Sequence, residues 1–354
     1  MRIAIDAREL AGKPTGVGRY LSEILGAWSD LPGAAAHEFV VCAPEQVPLP
    51  LGLNATIRTA PGNGTTWEQR ALPQLVAGAN VLFAPGYTGP MMSRVPMVVT
   101  IHDVSFAAHP EWFSWREGLR RRTLTRWTAW RAARVITVSD FSKREIVKHL
   151  GVPHAKIDVI YSGSTRLPGA RSGARAPVVL YVGSLFNRRH IPELIAGFDR
   201  LAQRHPDTRL ELVGDNRTRP AIDVDALIRG TASASRIRAR SYVADQELAA
   251  LYASASAFAF LSDYEGFAMT PLEALSSGIP VVLLDTEIGR EIYGPAALYV
   301  TQASPDLIAS ALERALFDEA ERTRVLEAAA AQLERYSWRE CAQRTLQVLL
   351  ACAS

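Results

Sequence analysis

The sequence predicts an α/β protein built from two doubly wound parallel sheets. Short apolar runs rich in Val and Ile alternate with longer amphipathic segments, and this alternation starts again after residue 176. Strands that are apolar throughout, instead of alternating apolar and polar residues, are typical of parallel sheets covered on both faces. The length of 354 residues also suits about two domains.

The first part of the chain predicts an N-terminal domain over residues 1–165. We expect strands at 2–7, 38–43, 56–59, 81–84, 96–102, 135–139 and 157–161, and helices at 18–28, 66–79, 114–134 and 142–150. Such alternation of strands and helices indicates a doubly wound domain. The segment 163–176, GSTRLPGARSGARA, has no apolar period and is interpreted as a linker.

The second part predicts a C-terminal domain over residues 177–335, followed by a last helix near 338–351. We expect strands at 177–183, 209–215, 237–243, 257–262 and 280–285, and helices at 191–205, 223–230, 245–255, 270–278, 304–317 and 319–335. Ligands of parallel sheets bind at the carboxyl ends of the strands, so both domains should present binding loops to a cleft between them.

Composition and charge exclude several classes of protein. Hydrophobic residues make up 48% and charged residues 21%, which is ordinary for a globular protein and argues against a disordered or fibrous one. A net charge of +3 is too balanced to predict a nucleic-acid partner. The cysteines Cys42, Cys341 and Cys352 form no C-x-x-C pair, so neither a disulfide framework nor a zinc site is expected and a reducing cytosol fits. We expect no signal peptide and no transmembrane helix.

The most specific segment is DYEGFAMTPLEALSSGIPVV, residues 263–282, in which seven residues separate Glu265 from Glu273. Thr270-Pro271-Leu272-Glu273 fits a capping box, in which Glu273 would only accept a hydrogen bond from the backbone of Thr270. A second interpretation is a ligand site, because a helix N-terminus suits a phosphate and a carboxylate there can accept hydrogen bonds from a ribose diol. The local pattern alone leaves both open.

This segment resembles the E-x7-E motif of the retaining family 4 glycosyltransferases of the GT-B fold. Further similar segments extend along most of the chain: TGVGRYLSEIL (15–25), VVTIHDVSF (98–106), RVITVSDFSKREI (134–146), LYVGSLFNRRHIPELIAGF (180–198), LVGD (212–215), residues 245–275 and YSWRECAQRTL (336–346). Two of them, 98–106 and 134–146, are similar to mannosyltransferase-like members. The resemblance implies two Rossmann-like domains facing each other across a cleft, with the C-terminal helix, 336–354, returning to the N-terminal domain.

The resemblance also implies roles for residues of the C-terminal domain. Glu273 should bind the nucleotide ribose, and Glu265 should reach hydroxyls of the donor sugar. Tyr242 and Val243, at the end of a strand, should lie near the base. Backbone amides should line the sugar and the pyrophosphate at Gly266, Phe267, Ala268, Met269 and Thr270.

Two residues of the N-terminal domain complete the implied donor site: Gly16 should bring backbone amides to the donor phosphate, and His102 should face the transferring sugar. The chain departs from the family where many members carry two basic residues, because Ser184 replaces the first and Arg189 the second. Arg189 keeps the charge and can grip a phosphate bidentately, and Arg188 is a candidate for part of the missing contact. The alternative is that both arginines form a solvated helix start.

Three other patterns have a structural and a functional interpretation. Asp223-Val224-Asp225 is a D-x-D, but its place before a helix favours an N-cap over a metal site. The run Gly16 to Leu21 lacks the third small residue of a dinucleotide fingerprint, so an NAD site is not favoured. In residues 111–134 a stripe of aromatic and apolar side chains predicts core packing behind a basic face, with contact to an anionic membrane as the alternative. The stripe comprises Trp112, Trp115, Leu119, Trp127 and Trp130.

The resemblance therefore predicts a retaining hexosyltransferase, with GDP-mannose as the first expectation for its donor. Its catalytic residues should be His102, Arg189 and Glu265. We expect a glycan or lipid-linked glycan acceptor, no metal or other cofactor, and a cytoplasmic enzyme. The alternatives are a nucleotide-sugar epimerase or hydrolase on the same scaffold, or a subunit that binds the nucleotide sugar without catalysis.

Overall fold

The computed structural model describes residues 1–12, 16–165 and 176–353. The chain divides into two compact units, one formed by Met1–Gly163 with Tyr336–Ser354 and the other by Ser164–Arg335. Most of the predicted linker, residues 166–175, lies outside the described residues, as does Thr15 at the start of the glycine-rich segment.

Seven strands form the sheet of the first unit among its described residues, and the inner ones are buried along most of their length, as expected for a sheet covered on both faces. They are β1 (Arg2–Asp6), β2 (Glu38–Ala43), β3 (Ala55–Thr59), β4 (Val81–Ala84), β5 (Met97–Thr100), β6 (Arg134–Thr137) and β7 (Ile157–Val159). All seven strands predicted for this part of the chain are confirmed.

The helices between these strands are α1 (Gly16–Ser29), α2 (Pro32–Ala35), α3 (Gly64–Arg70), α4 (Leu72–Leu75), α5 (Ser105–Ala108), α6 (Trp115–Arg131) and α7 (Asp140–Leu150). The single helix predicted over 66–79 is wrong, since α3 and α4 replace it. Pro73 is the second residue of α4, where its missing N–H and fixed φ suit the first turn of a new helix but not the interior of a continuing one.

The strands run parallel in the order β3-β2-β1-β4-β5-β6-β7. The chain passes outward from β1 to β3 and then returns to pair β4 with the other side of β1. This reversal is a topological switch point, and in open α/β sheets ligands bind there, outside the carboxyl ends of the strands.

The stripe predicted to pack into the core is exposed at three of its five residues, and Trp112 and Trp127 are half-buried. Trp115, Leu119 and Trp130 are 73%, 45% and 50% exposed. The residues of α6 that are buried are small: Gly118, Thr125, Thr128 and Ala129. The core-packing prediction is therefore wrong, because this helix lies on the sheet through its small side chains and leaves large aromatic ones outside.

The second unit repeats the architecture with six strands among its described residues: β8 (Val178–Val182), β9 (Arg209–Val213), β10 (Ile237–Arg240), β11 (Ala257–Phe260), β12 (Val281–Leu284) and β13 (Leu298–Val300). Its helices are α8 (Ile191–Arg204), α9 (Val224–Arg229), α10 (Asp245–Ser254), α11 (Met269–Ser276), α12 (Glu287–Tyr293), α13 (Pro305–Phe317) and α14 (Glu319–Glu334). The sequence predicted all of these except α12 and β13. The parallel order β10-β9-β8-β11-β12-β13 places a second switch point between β8 and β11.

The last helix, α15 (Trp338–Cys352), belongs to the first unit. The buried indole Nε1 of Trp28 in α1 donates to the carbonyl of Ala342 at 2.9 Å. Arg344 Nη2 donates to the carbonyl of Val159 in β7 at 2.9 Å. The predicted return of the C-terminal helix to the N-terminal domain is confirmed.

Candidate active site

The candidate site of the second unit is formed by the loops that follow β8 and β11. Two glycines let the loops after β8 and β9 approach each other closely. Gly214 has a φ of +154°, and a Cβ there would lie 1.9 Å from the carbonyl oxygen of Gly183. A Cβ on Gly183, whose φ is +148°, would lie 2.8 Å from Nη1 of Arg189. These positions therefore exclude side chains and leave room for the Arg189 guanidinium.

Arg189 and Glu265 form a nearly buried ion pair across the switch point. Nε and Nη2 of Arg189 lie 2.8 and 2.7 Å from Oε1 of Glu265, and the hydroxyl of Ser262 donates to the same oxygen at 2.8 Å. The two charged side chains are 11% and 14% exposed. The residues that the structure describes offer no partner to Oε2 of Glu265, which leaves that oxygen able to accept a hydroxyl.

The guanidinium of Arg189 is also fixed by aromatic rings and by the backbone. It lies 4.7 Å from the ring centroid of Phe260 and 5.3 Å from that of Phe186, and Nη1 donates to the carbonyl of Ser184 at 2.8 Å. Burial lowers the pKa of a guanidinium, but the charge and hydrogen bond of Glu265 and the contributions of Tyr181 together outweigh it and raise the pKa of Arg189 above its usual value. Arg189 is therefore a permanent, preorganised cation.

Arg188 supplies a second cation beside the same carboxylate. Its guanidinium lies 4.4 Å from the ring centroid of Phe186, and its Nε lies 3.9 Å from Oε1 of Glu265. Its side chain is only 10% exposed. The alternative prediction of a solvated helix start for Arg188 and Arg189 is therefore wrong.

The capping-box interpretation of Glu273 is wrong as well. The helix α11 begins at Met269, one residue before the predicted cap Thr270, and no acidic residue lies in its first turn. Glu273 is the fifth helical residue, is 3% exposed, and accepts a hydrogen bond from the hydroxyl of Tyr252 at 3.2 Å. Its role toward a ribose stays a prediction.

The predicted amide stretch forms the turn into α11. Gly266 and Phe267 are buried, and Ala268 takes a left-handed conformation with a φ of +62°. A non-glycine residue there costs on the order of 1–2 kcal/mol, and the hydroxyl of Tyr293 stabilises the turn by donating to the carbonyl of Ala268. The unpaired N–H groups of the helix N-terminus at Met269 and Thr270 can attract an anion.

The two residues predicted to contact the base, Tyr242 and Val243, lie beyond the end of β10. The strand β10 ends at Arg240, so the prediction that it continues to residue 243 is wrong. Tyr242 is 59% exposed and Val243 is 7% exposed. Contact of either residue with a base stays a prediction.

Sequence reasoning missed a second ionic link between the two loops. His190, with a φ of +50°, places Nε2 2.8 Å from Oδ2 of Asp263, and the N–H of Asp263 donates to the carbonyl of Arg188 at 2.9 Å. The hydrogen bond to Asp263, with that to Glu193, raises the pKa of His190 to about 9. His190 is therefore a cation at neutral pH that ties the loop carrying Arg188 and Arg189 to the loop carrying Glu265.

In the first unit, His102 lies just beyond β5. Its Nε2 lies 2.8 Å from the carbonyl oxygen of Pro85, which only accepts, so Nε2 carries the proton. Burial lowers the pKa of His102 and favours the neutral ring. The rings of Tyr20 and Tyr87 lie 4.8 and 5.5 Å away. Gly16 is the first residue of α1, and the roles of Gly16 and His102 toward a donor stay predictions.

The structure also bears on the D-x-D segment, on metal sites and on membrane-spanning helices. Asp223 caps α9 by accepting from the N–H of Ala226 at 2.8 Å, which confirms the N-cap interpretation of the D-x-D. Within the described ranges, no group of three or more His, Cys, Asp and Glu side chains is placed to hold a metal ion. No helix in these ranges has the length and apolar character needed to cross a membrane.

Comparison with known families identifies both parts of the chain. The model described as Glycosyltransferase Family 4 matches residues 14–164, and the model described as Glycosyl transferases group 1 matches residues 170–332.

Similar proteins of known activity are found among bacterial enzymes. O-antigen chain mannosyltransferase B of Escherichia coli is 30% identical over 268 residues, covering 70% of this chain and 68% of the relative. GDP-mannose:cellobiosyl-diphosphopolyprenol alpha-mannosyltransferase of Xanthomonas campestris is 29% identical over 259 residues, covering 70% of this chain and 66% of that protein. HepE of Anabaena, solved in complex with UDP-glucose, superposes with a TM-score of 0.78 at 18% identity, covering 99% of this chain and 100% of that one. The likeness confirms the predicted GT-B fold class.

Proposed function

The chain belongs to glycosyltransferase family 4, and we propose that it transfers mannose from GDP-mannose to a glycan or lipid-linked glycan with retention of anomeric configuration. The observation that carries this proposal is the Arg189–Glu265 pair at the switch point of the second sheet. It places a fixed cation, a carboxylate with one available oxygen, and a helix N-terminus at one ligand-binding edge.

The charges suit departure of a nucleoside diphosphate. As the glycosidic bond breaks, negative charge grows on the diphosphate, and Arg189, Arg188 and the N-terminus of α11 are preorganised to stabilise it. Positive charge grows on the sugar, which becomes oxocarbenium-like, and Oε2 of Glu265 accepts a hydroxyl of that sugar. The proposed reaction needs no metal, so activity should survive EDTA.

Retention follows in this proposal from attack by the acceptor on the face that the diphosphate leaves, with the departing phosphate taking the acceptor proton. In this proposal Glu265 forms no bond to the anomeric carbon: Arg189 and Ser262 hold Oε1, and Oε2 accepts a hydroxyl of the sugar. Mass spectrometry of enzyme quenched during turnover tests this step. A glycosyl group attached to Glu265 would contradict it.

The choice of GDP-mannose rests on the mannosyltransferases among the relatives, one of which has GDP-mannose in its name. UDP-glucose is the competing donor, because HepE was solved with it. The names of the two relatives, an O-antigen chain enzyme and an enzyme acting on a diphosphopolyprenol-linked glycan, support a glycan or lipid-linked acceptor. The comparisons do not favour the epimerase, hydrolase or non-catalytic alternatives.

A thermal-shift panel with GDP-mannose, UDP-glucose, GDP and UDP tests the donor. A ligand at 100 times its dissociation constant adds about 2.7 kcal/mol of stability, so GDP-mannose should stabilise the chain most. If no nucleotide stabilised the chain, the proposal would be contradicted. If UDP-glucose stabilised it more than GDP-mannose, UDP-glucose would become the proposed donor. Release of free mannose at the same rate with and without acceptor would favour the hydrolase alternative. Binding of the nucleotide sugar without any turnover would favour the non-catalytic subunit.

We also propose that the enzyme is cytoplasmic and that α6 of the first unit brings it to an anionic membrane surface. Exposed Leu119 and Trp130 line a depression of about 440 Å³ together with Arg122 and Arg126, and exposed Trp115 lies one helical turn before Leu119. Large apolar side chains beside cations are typical of helices that lie in a membrane interface.

Sedimentation with vesicles of phosphatidylglycerol and phosphatidylcholine at low and high salt tests this contact. We expect binding at low salt that Trp115→Ala weakens and that Leu51→Ala, at a site 97% exposed in the same unit, leaves unchanged. Equal binding by both variants, or none at low salt, would contradict the proposal.

A further inference from the structure

The first unit has its own cluster of charged side chains at its switch point, which neither the motif nor the comparisons assign. Asp6 is the last residue of β1, and Arg8 follows in the next turn. Glu68 comes from α3. Its carboxylate meets Arg8 at the carboxyl end of β1, beside the loop that follows β4.

Arg8 is held by only one of its terminal nitrogens. Its Nη2 lies 3.2 Å from Oδ2 of Asp6, 3.1 Å from Oε1 of Glu68, and 3.2 Å from both the carbonyl and the hydroxyl oxygens of Thr88. Within the described part of the chain, Nη1 and Nε of Arg8 have no hydrogen-bond partner. Neither atom is sealed from solvent, so one edge of the guanidinium is fixed and the other can bind.

The carboxylates around Arg8 are buried and incompletely satisfied. The side chains of Asp6 and Glu68 are each 2% exposed, and that of Arg8 is 14% exposed. Oδ2 of Asp6 has no hydrogen-bond partner among the described residues and only the ion pair with Arg8. Burial that is only partly offset by Arg8 raises the pKa of Asp6 to about 6. A buried carboxylate oxygen without a hydrogen-bond partner is uncommon in folded proteins, and a bound ligand is one explanation for it.

The net charge of the cluster indicates the chemistry of its ligand. Glu9 lies beside Gly86 in the loop after β4, where a Cβ on Gly86 would be 3.9 Å from Oε1 of Glu9. Burial lowers the pKa of the Arg8 guanidinium, but the charges of Asp6, Glu68 and Glu9 all act on it and together raise that pKa, so one cation has three carboxylates around it. A phosphate would be repelled, whereas a neutral polyol can accept from Arg8 and donate to the carboxylates.

The backbone of the loop after β4 also indicates that this end of the sheet binds a ligand. Tyr87, next to Gly86, has a φ of +68°, and its hydroxyl donates to Oδ2 of Asp103 at 2.8 Å. Backbone strain of this kind in a bulky residue costs on the order of 1–3 kcal/mol and concentrates at functional sites. It lies at the same end of the same sheet as Arg8.

We propose that Arg8, fixed by Asp6 and Glu68, is the centre of a subsite for uncharged saccharide hydroxyls, which orients the acceptor. This inference rests on the proposed transferase function and deepens it by naming the ligand chemistry of one site. Arg8 donates from Nε and Nη1 to hydroxyl oxygens, and Glu9, the half-buried carboxylate of the cluster, accepts hydrogen bonds from the hydroxyls.

The experiment follows the Nε–H signals of three arginines in the full chain labelled with 15N-arginine, each assigned from its Arg→Lys variant. Arg8 reports the proposed subsite and Arg189 reports the donor site. Arg2, paired with Glu38 at the opposite end of β1, is the internal control. The probes are methyl α-mannoside, methyl α-galactoside, methyl α-rhamnoside, inorganic phosphate and GDP.

We expect at least one saccharide to shift the Arg8 signal saturably while the Arg2 signal stays in place and phosphate has no effect. Glu68→Gln should weaken that saccharide at least 5-fold, with the folded spectrum otherwise retained. An Arg8 signal that responds to no saccharide, or more strongly to phosphate, would overturn the inference. A shift of Arg189 with GDP in the same sample shows that the donor proposal stands independently, and its absence shows that the donor proposal has failed.

Discussion

Replacing Glu265 by Gln tests whether this carboxylate and a diphosphate compete for Arg189. The amide keeps the size of the side chain, and its oxygen can still accept from Arg189 and Ser262, but the negative charge is lost. Because both partners are only 11–14% exposed, removing the charge leaves a nearly buried guanidinium with a weaker partner. A charge-assisted hydrogen bond contributes about 1.5–3 kcal/mol, so Glu265→Gln should cost about 2 kcal/mol of unfolding free energy.

The same change should strengthen the binding of GDP. In the proposed donor complex the diphosphate approaches Arg189 and Arg188 against the charge of Glu265, which lies 2.7 Å from Arg189 and 3.9 Å from Arg188. Two unit charges 4 Å apart near a protein surface interact by about 4 kcal/mol, and solvent reduces this. A gain of about 1.4 kcal/mol, or tenfold in the dissociation constant, is therefore expected.

Turnover should change in the opposite direction. Loss of the carboxylate removes the acceptor for a hydroxyl of the donor sugar, and a loss of about 2.7 kcal/mol of transition-state stabilisation lowers kcat about 100-fold. Calorimetric titration with GDP, thermal unfolding and steady-state kinetics measure the three effects. For a unit of this size, a cost of 2 kcal/mol lowers Tm by roughly 4–8 °C.

The matched control is Glu313→Gln, which removes a carboxylate paired with Arg204 and His205 on the helices of the second unit. It should leave GDP affinity and kcat unchanged. If Glu265→Gln bound GDP no more tightly than the wild type, Arg189 would be a structural partner of Glu265 and not a phosphate ligand. That result would remove the observation on which the donor site rests.

Three further substitutions test the surrounding structure. Gly214→Ala should cost about 3 kcal/mol in urea unfolding, since its Cβ would meet a backbone carbonyl at 1.9 Å, while Gly33→Ala, with no atom within 4 Å, should cost much less. The raised pKa of His190, about 9, means that its ion pair with Asp263 stabilises fully below pH 6.5 and is lost as the pH rises through about 9. The stability difference between wild type and His190→Asn should thus shrink by about 1 kcal/mol between pH 6 and pH 10, after allowance for partial exposure. Burial raises the pKa of Asp6 to about 6, so the folded state binds this proton more tightly than the unfolded state does. The resulting stabilisation is complete below pH 3.8 and is lost as the pH rises through about 6. Between pH 4 and pH 7 the wild type should therefore lose up to about 3 kcal/mol of unfolding free energy relative to Asp6→Asn.

The parts of the fold that the sequence predicts well are those whose signal is local. Buried strands such as β8 are apolar at every position, and a strand–helix alternation follows from them. The unpredicted strand β13 has three residues and lies at the edge of its sheet. The start of α11 was misplaced because Ala268 adopts a left-handed conformation, for which alanine carries no sequence signal.

The parts of the site that sequence reasoning missed depend on strand order. His190 and Asp263 are 73 residues apart, and Arg8 and Glu68 are 60 residues apart. The first pair meets because β8 lies beside β11, and the second because α3 brings Glu68 to the carboxyl end of β1. One sequence without its fold does not give these adjacencies. The E-x7-E spacing was visible because both glutamates lie on one loop and the helix that follows it.

The two sheets have the same strand order around their switch points but opposite charge there. In the second unit two guanidiniums, from Arg188 and Arg189, face the single carboxylate of Glu265. In the first unit the single guanidinium of Arg8 faces buried carboxylates. Equivalent positions in one topology thus carry a net cation in one unit and a net anion in the other. A diphosphate is better bound by a net cation and sugar hydroxyls by a net anion, so under the two proposals the charge at each switch point, and not a difference in fold, divides donor and acceptor recognition between the units.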